Sequence, residues 1–297
     1  MAFLCGVFGV SFSRAGLGLA LMDKIAILGA GNIGEALIAG LVRSGVSPQA
    51  IVATTRCVER RQTLAETYGV EVEEDNRAAV ADADAVVVCV KPAQVADVLA
   101  HIGEELDRAD ELPVIISMAA GVTLASLEEA VPAAGVPLVR VMPNTPMLVG
   151  NGVLAVTFGR YVAEEQRDAV RTLLAAGGLV VEVDEAQMDA VTALSGSGPA
   201  YFFLVAEALV DAGVALGLSR ELAAELVTAT AAGAGVMLAN GGSPAELRAQ
   251  VSSPAGTTVA AIRELEESGL RGAFYRATSA CARRAQELDN DEQPSQT

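Results

Sequence analysis

Short apolar runs alternate with amphipathic segments over the first part of the chain. Runs that are apolar throughout, such as 85–90, are typical of parallel strands buried on both faces. Strands are predicted at 24–28, 51–54, 85–90, 114–117, 138–141, 153–157 and 179–183. Helices are predicted between them at 33–43, 57–67, 76–80, 92–105, 123–130 and 163–175. This alternation predicts an α/β fold, a doubly wound parallel sheet with right-handed crossovers.

The pattern changes after residue 184, where strand signals fade. Long helical patterns rich in Ala, Leu and Val follow, interrupted by Pro199, Gly217 and Pro254. These helices are predicted at 185–194, 199–217, 220–239, 244–250, 256–267 and 270–289. Some have little polar surface, so a partner subunit is expected to cover them. The sequence thus predicts a sheet domain at 22–184, an all-helical domain at 185–289 and a polar tail at 290–297.

The first 21 residues are apolar and glycine-rich. Their only charged side chain, Arg14, lies in the middle of the segment, unlike the basic start of a signal peptide. Met22 directly precedes the first predicted strand. We therefore interpret residues 1–21 as an upstream start or a loose tail, and predict that they are disordered. No later run is expected to cross a membrane as an uninterrupted apolar segment.

Charge and reactive side chains narrow the function further. The formal net charge is −17 over 297 residues, and no basic stripe is present, so a nucleic-acid partner is not expected. His101 is the single histidine and is interpreted as a surface residue. Cys5, Cys57, Cys89 and Cys281 are scattered, which argues against a metal site or a disulfide framework. A reducing, cytoplasmic compartment fits this usage.

Three glycines at G-x-G-x-x-G spacing follow the first predicted strand. Gly29 suits a tight turn, Gly31 lets the backbone approach a pyrophosphate, and Gly34 permits close helix–strand packing. The helix that follows would offer free N–H groups and a partial positive charge to the phosphates. An ordinary strand–helix turn is the alternative, but the order of strand, glycine turn and helix favours a dinucleotide site.

The end of the second predicted strand indicates which dinucleotide is bound. An NAD site usually has Asp or Glu about 20 residues past the last glycine. Thr54, Thr55 and Arg56 stand there, and Arg60 and Arg61 follow one helical turn later. A guanidinium suits a 2′-phosphate, so NADPH is favoured and NADH is expected to bind more weakly. The alternative is that these arginines are solvated helix residues.

Four further segments of the sequence, taken together with the glycine loop, are similar to those of a known family. They are Cys-Val-Lys-Pro-Ala-Gln at 89–94, Arg-Val-Met-Pro-Asn-Thr-Pro at 140–146, Leu-Ser-Gly-Ser-Gly-Pro-Ala-Tyr at 194–201 and Val-Ser-Ser-Pro-Ala-Gly-Thr-Thr at 251–258. With the glycine loop, and in this order, they resemble the pyrroline-5-carboxylate reductase family over about 22–288. The resemblance implies a Rossmann-type domain, a helical domain that dimerises and often assembles further, and an active site between them. It also implies NADPH-dependent reduction of L-1-pyrroline-5-carboxylate to L-proline, the last step of proline biosynthesis.

Candidate site residues follow from the resemblance and from the motifs. Those expected at the cofactor are Gly29, Ala30, Gly31, Asn32, Ile33, Gly34, Thr55, Arg56, Asn76, Cys89, Val90, Lys91, Pro92, Ala119, Ala120, Gly121 and Asn144. Those expected at the substrate are Ser253, Ala255, Gly256, Thr257 and Thr258, with Ser197 in the pocket wall. The candidate catalytic residues are Thr258, placed by the resemblance on the ring nitrogen, and Lys91, favoured as a binding group over a proton relay.

The segment 251–258 also has a chemical logic of its own. Pro254 stands where a helix would begin, and Ser253 is expected to cap that helix. Backbone amides at 255–258 would then bind a carboxylate without an arginine. Ala255 stands where the family usually has glycine. If its φ is positive, Ala is strained there by roughly 1 kcal/mol or more; if it is an ordinary helix-start position, Ala is harmless.

Three rival functions differ in sequence signals. A β-hydroxyacid dehydrogenase needs a lysine in the helical domain, and this chain has only Lys24 and Lys91. An imine reductase for bulkier amines would not need the carboxylate-binding segment. A non-enzymatic NADP-binding regulator would be expected to have a degraded substrate segment, and here only Ala255 departs from the family pattern.

Overall fold

The computed structural model describes residues 22–291, with side chains through residue 287. The predicted extension at 1–21, and residues 292–297 of the predicted tail, lie outside the described residues. Within the described chain there are two compact units. The first, here called the sheet unit, comprises residues 22–197 and 281–291, and the second, the helical unit, comprises residues 198–280. The predicted fold class, a Rossmann-type sheet followed by helices, is confirmed.

The sheet unit is built on eight strands in the order β3-β2-β1-β4-β5-β6-β7-β8. They are β1 (Ile25–Leu28), β2 (Ile51–Thr54), β3 (Glu71–Glu73), β4 (Ala85–Val88), β5 (Val114–Ser117), β6 (Leu138–Met142), β7 (Gly152–Phe158) and β8 (Gly178–Glu182). All neighbours pair in parallel except β6 and β7, which are antiparallel. The connection between those two strands holds only a 3-10 turn, and a parallel return would need a longer crossover.

Seven helices of the sheet unit connect these strands or lie on the faces of the sheet. They are α1 (Asn32–Arg43), α2 (Val58–Tyr68), α3 (Asn76–Val80), α4 (Val95–His101), α5 (Gly103–Arg108), α6 (Leu124–Ala130) and α7 (Glu164–Leu174). The helix predicted at 92–105 is instead a 3-10 turn at Pro92–Gln94 followed by α4 and α5. Pro92 lacks a backbone N–H and starts that turn, which explains the later helix start.

Two apolar layers, one on each face of the sheet, form the core. Every residue of β1, β2, β4 and β5 is buried. Because side chains alternate along a strand, Ile27 packs into one layer and Leu28 into the other. Strand β3 is the element that the sequence analysis missed. Its sequence, Glu-Val-Glu, carries no apolar run, because it lies at the exposed edge of the sheet.

Residues 185–197 continue the sheet unit beyond β8. They contain the short helix α8 (Met188–Val191) and a π-helical turn at Thr192–Gly196. The nearly buried Arg140 of β6 donates to Glu185 Oε1 at 2.7 Å. The predicted domain limit at 184 stays a prediction, but in this chain the stretch after it is bonded to the sheet.

The helical unit has four complete helices and the first half of a fifth. They are α9 (Gly198–Ala215), α10 (Arg220–Ala239), α11 (Pro244–Gln250), α12 (Thr257–Glu267) and α13 (Leu270–Asp291), of which the residues from Cys281 onward belong to the sheet unit. Helix α13 reaches two residues into the tail predicted from residue 290. Phe202 and Leu209 on α9 are 72% and 54% exposed, and Leu216, just after the last residue of that helix, is 86% exposed. Phe202 and Leu209 are seven residues apart, so they lie on one side of the helix.

Two segments are long and apolar enough to cross a membrane by length and composition, Glu185–Ala215 and Arg220–Ala239. The sequence expectation that no such segment would be found is therefore wrong. Within each segment, only 6% of the most apolar stretch is buried inside this chain. Length and hydropathy do not distinguish a spanning helix from a helix covered by another subunit.

Candidate active site

A cavity of about 790 Å³ lies in the sheet unit, beside the ends of β1, β2 and β4. Ligands of open α/β sheets bind at the carboxyl ends of strands. The lining residues are Gly29, Gly31, Thr54, Thr55, Arg56, Cys57, Glu74, Asn76, Cys89, Val90, Lys91, Gln94, Asp97, Val98 and His101. The volume is typical of small-molecule and cofactor sites.

The glycine loop that borders this cavity has the geometry of a dinucleotide cradle. Gly29 has a φ of +84°, which favours glycine. A Cβ on Gly34 would lie 3.0 Å from the Gly29 carbonyl oxygen, so glycine lets α1 pack closely on the loop. A Cβ on Gly31 would meet no described atom within 4 Å, so the backbone is open on its cavity side. These features fit a bound pyrophosphate.

Backbone amides at the start of α1 complete the cradle. Gly31 is the N-cap residue and brings no capping side chain. The first helical bond runs from the Glu35 amide to the Gly31 carbonyl, at 2.9 Å. The amides of Asn32, Ile33 and Gly34 precede it and have no acceptor within the helix. They are the anion-binding groups expected at a helix N-terminus.

Thr54, one of the three residues noted in the sequence at the end of the second strand, ties the glycine loop to that strand. Its hydroxyl accepts a hydrogen bond from the Gly29 amide at 3.1 Å and donates one to Asn76 Oδ1 at 2.7 Å. Its carbonyl accepts from the Ala30 amide at 2.7 Å. The signal in the sequence was a polar residue at the end of an otherwise apolar strand.

The three arginines near the second strand do not act alike. Arg56 is exposed and lines the cavity beside Thr55. Arg60 donates through Nε to the Ala30 carbonyl at 2.8 Å and through Nη2 to Glu35 at 2.6 Å. Arg61 donates to the Thr55 carbonyl at 3.0 Å and pairs with Glu74 at 3.2 Å. The interpretation of Arg60 and Arg61 as phosphate ligands is therefore not supported, because protein oxygens already bind both.

The segment after β4 brings Cys89, Val90 and Lys91 to the cavity. The Cys89 amide bonds to the Leu28 carbonyl at 2.8 Å, which holds the segment against β1. Burial raises the pKa of the Cys89 thiol to about 12, so this group stays neutral at physiological pH. Lys91 is exposed on the cavity side, where its ammonium can bind an oxygen-rich ligand.

His101 lines the cavity together with residues that the sequence analysis did not single out. It is exposed, as predicted, but its Nε2 lies 3.0 Å from Asp75 Oδ1. Arg77, and after it His101, hold the pKa of the Asp75 carboxyl well below its usual range. Asp75 also caps α3 by accepting from the Arg77 amide at 3.0 Å. This network fixes the start of the helix that carries Asn76.

Some predicted cofactor residues do not line the cavity. They are Ala30, Asn32, Ile33, Gly34, Pro92, Ala119, Ala120, Gly121 and Asn144. Asn144 is nearly buried; it donates to the Ser195 carbonyl at 3.0 Å and accepts from the Val153 amide at 2.8 Å. Its side chain therefore holds two backbone segments together. The cofactor contacts assigned to these residues stay predictions.

In the helical unit, the segment 251–258 forms a tight turn followed by α12. The Gly256 amide bonds to the Ser253 carbonyl at 2.9 Å, with Pro254 and Ala255 at the centre of the turn. Ala255 has a φ of +59°, so the strained alternative applies. The expectation that Ser253 caps the helix is wrong. Gly256 is the N-cap residue, because the turn delays the helix start to Thr257.

That turn leaves amides available at the start of α12. The first bond to the N-cap carbonyl comes from Ala260, at 3.3 Å from the Gly256 oxygen. The amides of Thr257, Thr258 and Val259 precede it and have no acceptor within the helix. Thr258 is half-buried in the first turn. The arrangement can bind an anion such as a carboxylate.

The predicted break in the helical pattern at 195–199 is present as the π-helical turn, with α9 starting at Gly198. Ser197 is half-buried, and its hydroxyl lies 3.2 Å from Cys281 Sγ. Its place in a substrate pocket stays a prediction. Within residues 22–287, no group of three or more His, Cys, Asp or Glu side chains could hold a metal ion.

Comparisons with known proteins agree with these features. Residues 185–288 match a family model described as pyrroline-5-carboxylate reductase dimerisation, and residues 24–121 match one described as NADP oxidoreductase, coenzyme F420-dependent. A pyrroline-5-carboxylate reductase of Corynebacterium melassecola is 55% identical over 90% of this chain and 99% of its own. The chain belongs to the pyrroline-5-carboxylate reductase family. The corresponding enzyme of Pseudomonas aeruginosa is 44% identical over 89% of this chain and 96% of its own.

Solved structures of the family have the same fold. A pyrroline-5-carboxylate reductase from Coxiella burnetii matches with a TM-score of 0.84 and 37% identity, over 90% of this chain and 98% of that chain. The Plasmodium falciparum enzyme, solved with NADP bound, matches with a TM-score of 0.79 and 29% identity over the same shares. The family resemblance found in the sequence is thus confirmed.

Proposed function

We propose that this chain reduces L-1-pyrroline-5-carboxylate to L-proline with NADPH, the last step of proline biosynthesis. The observation that carries the proposal is the glycine loop bordering the cavity, in a chain that belongs to this reductase family. The loop geometry fits a dinucleotide, and the open amides at the start of α12 suit a small carboxylate. Both halves of the reaction therefore have a candidate binding group in the chain.

The cofactor is held mainly by backbone in this proposal. The amides at the start of α1 bind the pyrophosphate, and Asn76 lies by the adenosine. Thr55 and Arg56 bind the 2′-phosphate, because a guanidinium forms strong charge-assisted bonds to phosphate oxygens. This preference makes NADPH the better cofactor and NADH the weaker one. When bound, the nicotinamide supplies the hydride that the imine carbon accepts.

Residues after β4 shape the surroundings of the nicotinamide. Lys91 donates hydrogen bonds to the adjoining ribose, and its charge makes the site more favourable for an anionic substrate. The neutral Cys89 thiol adds no negative charge there. Backbone atoms of Val90, Pro92 and residues 119–121 line the same side of the nicotinamide site in this proposal. Asn144 lies near them.

The substrate is bound through segment 251–258 in this proposal. Backbone amides near Gly256 and Thr257 bind the carboxylate, and Ser253, Ala255 and Ser197 border the ring. The hydroxyl of Thr258 donates to the imine nitrogen, which orients the ring, polarises the C=N bond and helps to protonate the nitrogen as hydride reaches the carbon. No arginine is needed, because the helix N-terminus already favours an anion.

Thr258 provides the sharpest test of this function. In Thr258→Ala, kcat should fall by about 10²-fold, since positioned proton donors contribute on that scale. The dissociation constant for NADPH should not change. Thr258→Ser is the matched control, because it keeps the hydroxyl and should retain most of the activity. A Thr258→Ala enzyme with wild-type kcat would contradict the role given to this hydroxyl.

The assembly completes the proposal. The chain forms a homodimer through its C-terminal helices, and such dimers can associate further. Burial of the apolar sides of α9 and α10 between subunits explains their exposure in the single chain. The enzyme acts in the cytoplasm, with no membrane or nucleic-acid partner. The proposed domain limits are 22–184 and 185–289.

A further inference from the structure

We propose that Arg60 is a positioning residue for the cofactor: it holds the glycine loop in its pyrophosphate-binding shape and neutralises Glu35 beside it. The inference rests on the proposed cofactor site and deepens it. It assigns a function to a side chain that lies outside the cavity lining. Three contacts of described residues carry the argument.

The first contact joins Arg60 to the glycine loop itself. Its Nε donates to the carbonyl oxygen of Ala30 at 2.8 Å. Ala30 stands between Gly29 and Gly31, and its amide is bonded to the Thr54 carbonyl at 2.7 Å. Both polar groups of this residue are thus held by neighbouring segments. A carbonyl dipole held by Arg60 cannot turn towards a bound phosphate, which it would repel.

The second contact neutralises a carboxylate at the cofactor end of α1. Glu35 lies in the first turn of the helix, just after the amides that face the pyrophosphate. An unpaired carboxylate there would repel the phosphates and compete for the positive end of the helix. Arg60 Nη2 lies 2.6 Å from Glu35 Oε2, and the two side chains are only 30% and 27% exposed. Limited exposure reduces the screening of this pair by solvent.

The third contact fixes the carboxylate from its other side. The Tyr68 hydroxyl donates to Glu35 Oε1 at 3.1 Å. Burial, and after it this bond to Glu35, raises the pKa of Tyr68, so the phenol remains a donor. Each oxygen of Glu35 therefore has a donor from α2, and Arg60 is held in a single geometry. A planar guanidinium supplies the two divergent N–H groups that this geometry needs.

The position of Arg60 predicts an effect that differs from that of Arg56. The pyrophosphate is common to NADPH and NADH, whereas the 2′-phosphate is present only in NADPH. Arg60→Ala should therefore weaken both cofactors by the same factor, about tenfold, as expected for loss of hydrogen bonds to a charged group. Arg56→Ala should weaken NADPH alone.

The test is titration calorimetry of the full chain with NADPH and with NADH, and the melting temperature is measured in parallel. Arg60→Ala should lose affinity for both cofactors. Adding Glu35→Gln to that variant should recover part of the affinity for both, because it removes the unpaired charge. Arg60→Lys should lie between Arg60→Ala and the wild type, because an ammonium restores the charge but not the fork. A role in folding alone would lower the melting temperature without this recovery.

Several outcomes would overturn the inference. One is that Arg60→Ala loses affinity for NADPH alone, which would make Arg60 a 2′-phosphate ligand. Another is that Arg60→Ala binds both cofactors with unchanged affinity. If Arg60→Ala does not fold, the affinities of Glu35→Gln for NADPH and NADH test the inference. This variant keeps an acceptor for Arg60 and should bind both cofactors at least as tightly as the wild type, so a clear loss overturns the charge argument. A wild-type chain that binds neither cofactor would instead contradict the proposed cofactor site, and the inference with it.

Discussion

The two units of this chain bury their apolar residues very differently. In the sheet unit, Leu37 on α1 and Ile116 on β5 are 0% exposed. In the helical unit, Leu209 on α9 and Leu216 just after that helix are 54% and 86% exposed. The sheet unit completes its core from its own residues, whereas the helical unit leaves a row of apolar side chains uncovered. The difference teaches that the sheet unit buries its own apolar core, whereas the helical unit leaves the apolar surface that the proposed dimer would cover.

The same division applies to the proposed chemistry. The sheet unit holds the cavity that suits the cofactor, and its groups are fixed by hydrogen bonds within the unit. The helical unit carries the turn and helix start proposed to bind the substrate carboxylate. Variants in the sheet unit should therefore change stability or cofactor affinity. Variants in the apolar row of α9 or in the first turn of α12 should change assembly or kcat.

The largest effect is expected from a charge placed in the apolar row of α9. Leu209→Asp should raise the dimer dissociation constant by at least about a hundredfold, because a buried unpaired carboxylate costs several kcal/mol. Analytical ultracentrifugation measures this dissociation constant. Val58→Asp in the sheet unit is the matched control, since Val58 is 53% exposed and should leave the mass unchanged. A Leu209→Asp chain with the wild-type dissociation constant would remove the basis of the comparison.

A cavity in the sheet unit should affect stability instead. Leu37→Ala should lower the free energy of unfolding by about 3 kcal/mol, as expected for a fully buried leucine. Urea denaturation at fixed protein concentration measures the change. The assembly of the folded protein should stay that of the wild type. A loss below about 1 kcal/mol would show that the packing around α1 is looser than its complete burial indicates.

The smallest effect is expected at Ala255. Ala255→Gly should raise the free energy of unfolding by up to about 1 kcal/mol, because relief of the positive φ exceeds the added entropy of the unfolded chain. The control is Asp82→Gly in the sheet unit, where φ is +57°. Aspartate tolerates this conformation better than alanine, so a smaller gain is expected. Denaturation curves of both variants measure the change in the free energy of unfolding. A less stable Ala255→Gly protein would contradict the backbone strain assigned to Ala255.

Most of the fold could be predicted because burial determines the pattern. Strands β1, β2, β4 and β5 are apolar at nearly every position since both faces are covered, and such runs are unmistakable. Strand β3 was missed because a charged edge strand has no apolar pattern. The short connection between β6 and β7 requires an antiparallel return once the two strands pair, but the apolar pattern of β7 does not show which strand it pairs with.

The candidate site was less predictable than the fold. Gly29 and Gly34 could be assigned because backbone geometry restricts these positions to glycine. The roles of Arg56 and Arg60 could not be separated, because both are arginines near the same strand end. The contacts of Arg60 with the Ala30 carbonyl and with Glu35, and the place of Arg56 in the cavity lining, distinguish them. The turn at Ala255 was similarly undecided until its φ was known.

The central claim is tested most directly by one assay on the purified full-length chain. NADPH and L-1-pyrroline-5-carboxylate are mixed with the enzyme, and loss of NADPH and formation of L-proline are measured together. The account predicts turnover with one proline formed per NADPH oxidised, at a higher kcat/KM than with NADH. Tight NADPH binding without proline formation would contradict the proposed reaction and leave a cofactor-binding protein with another role.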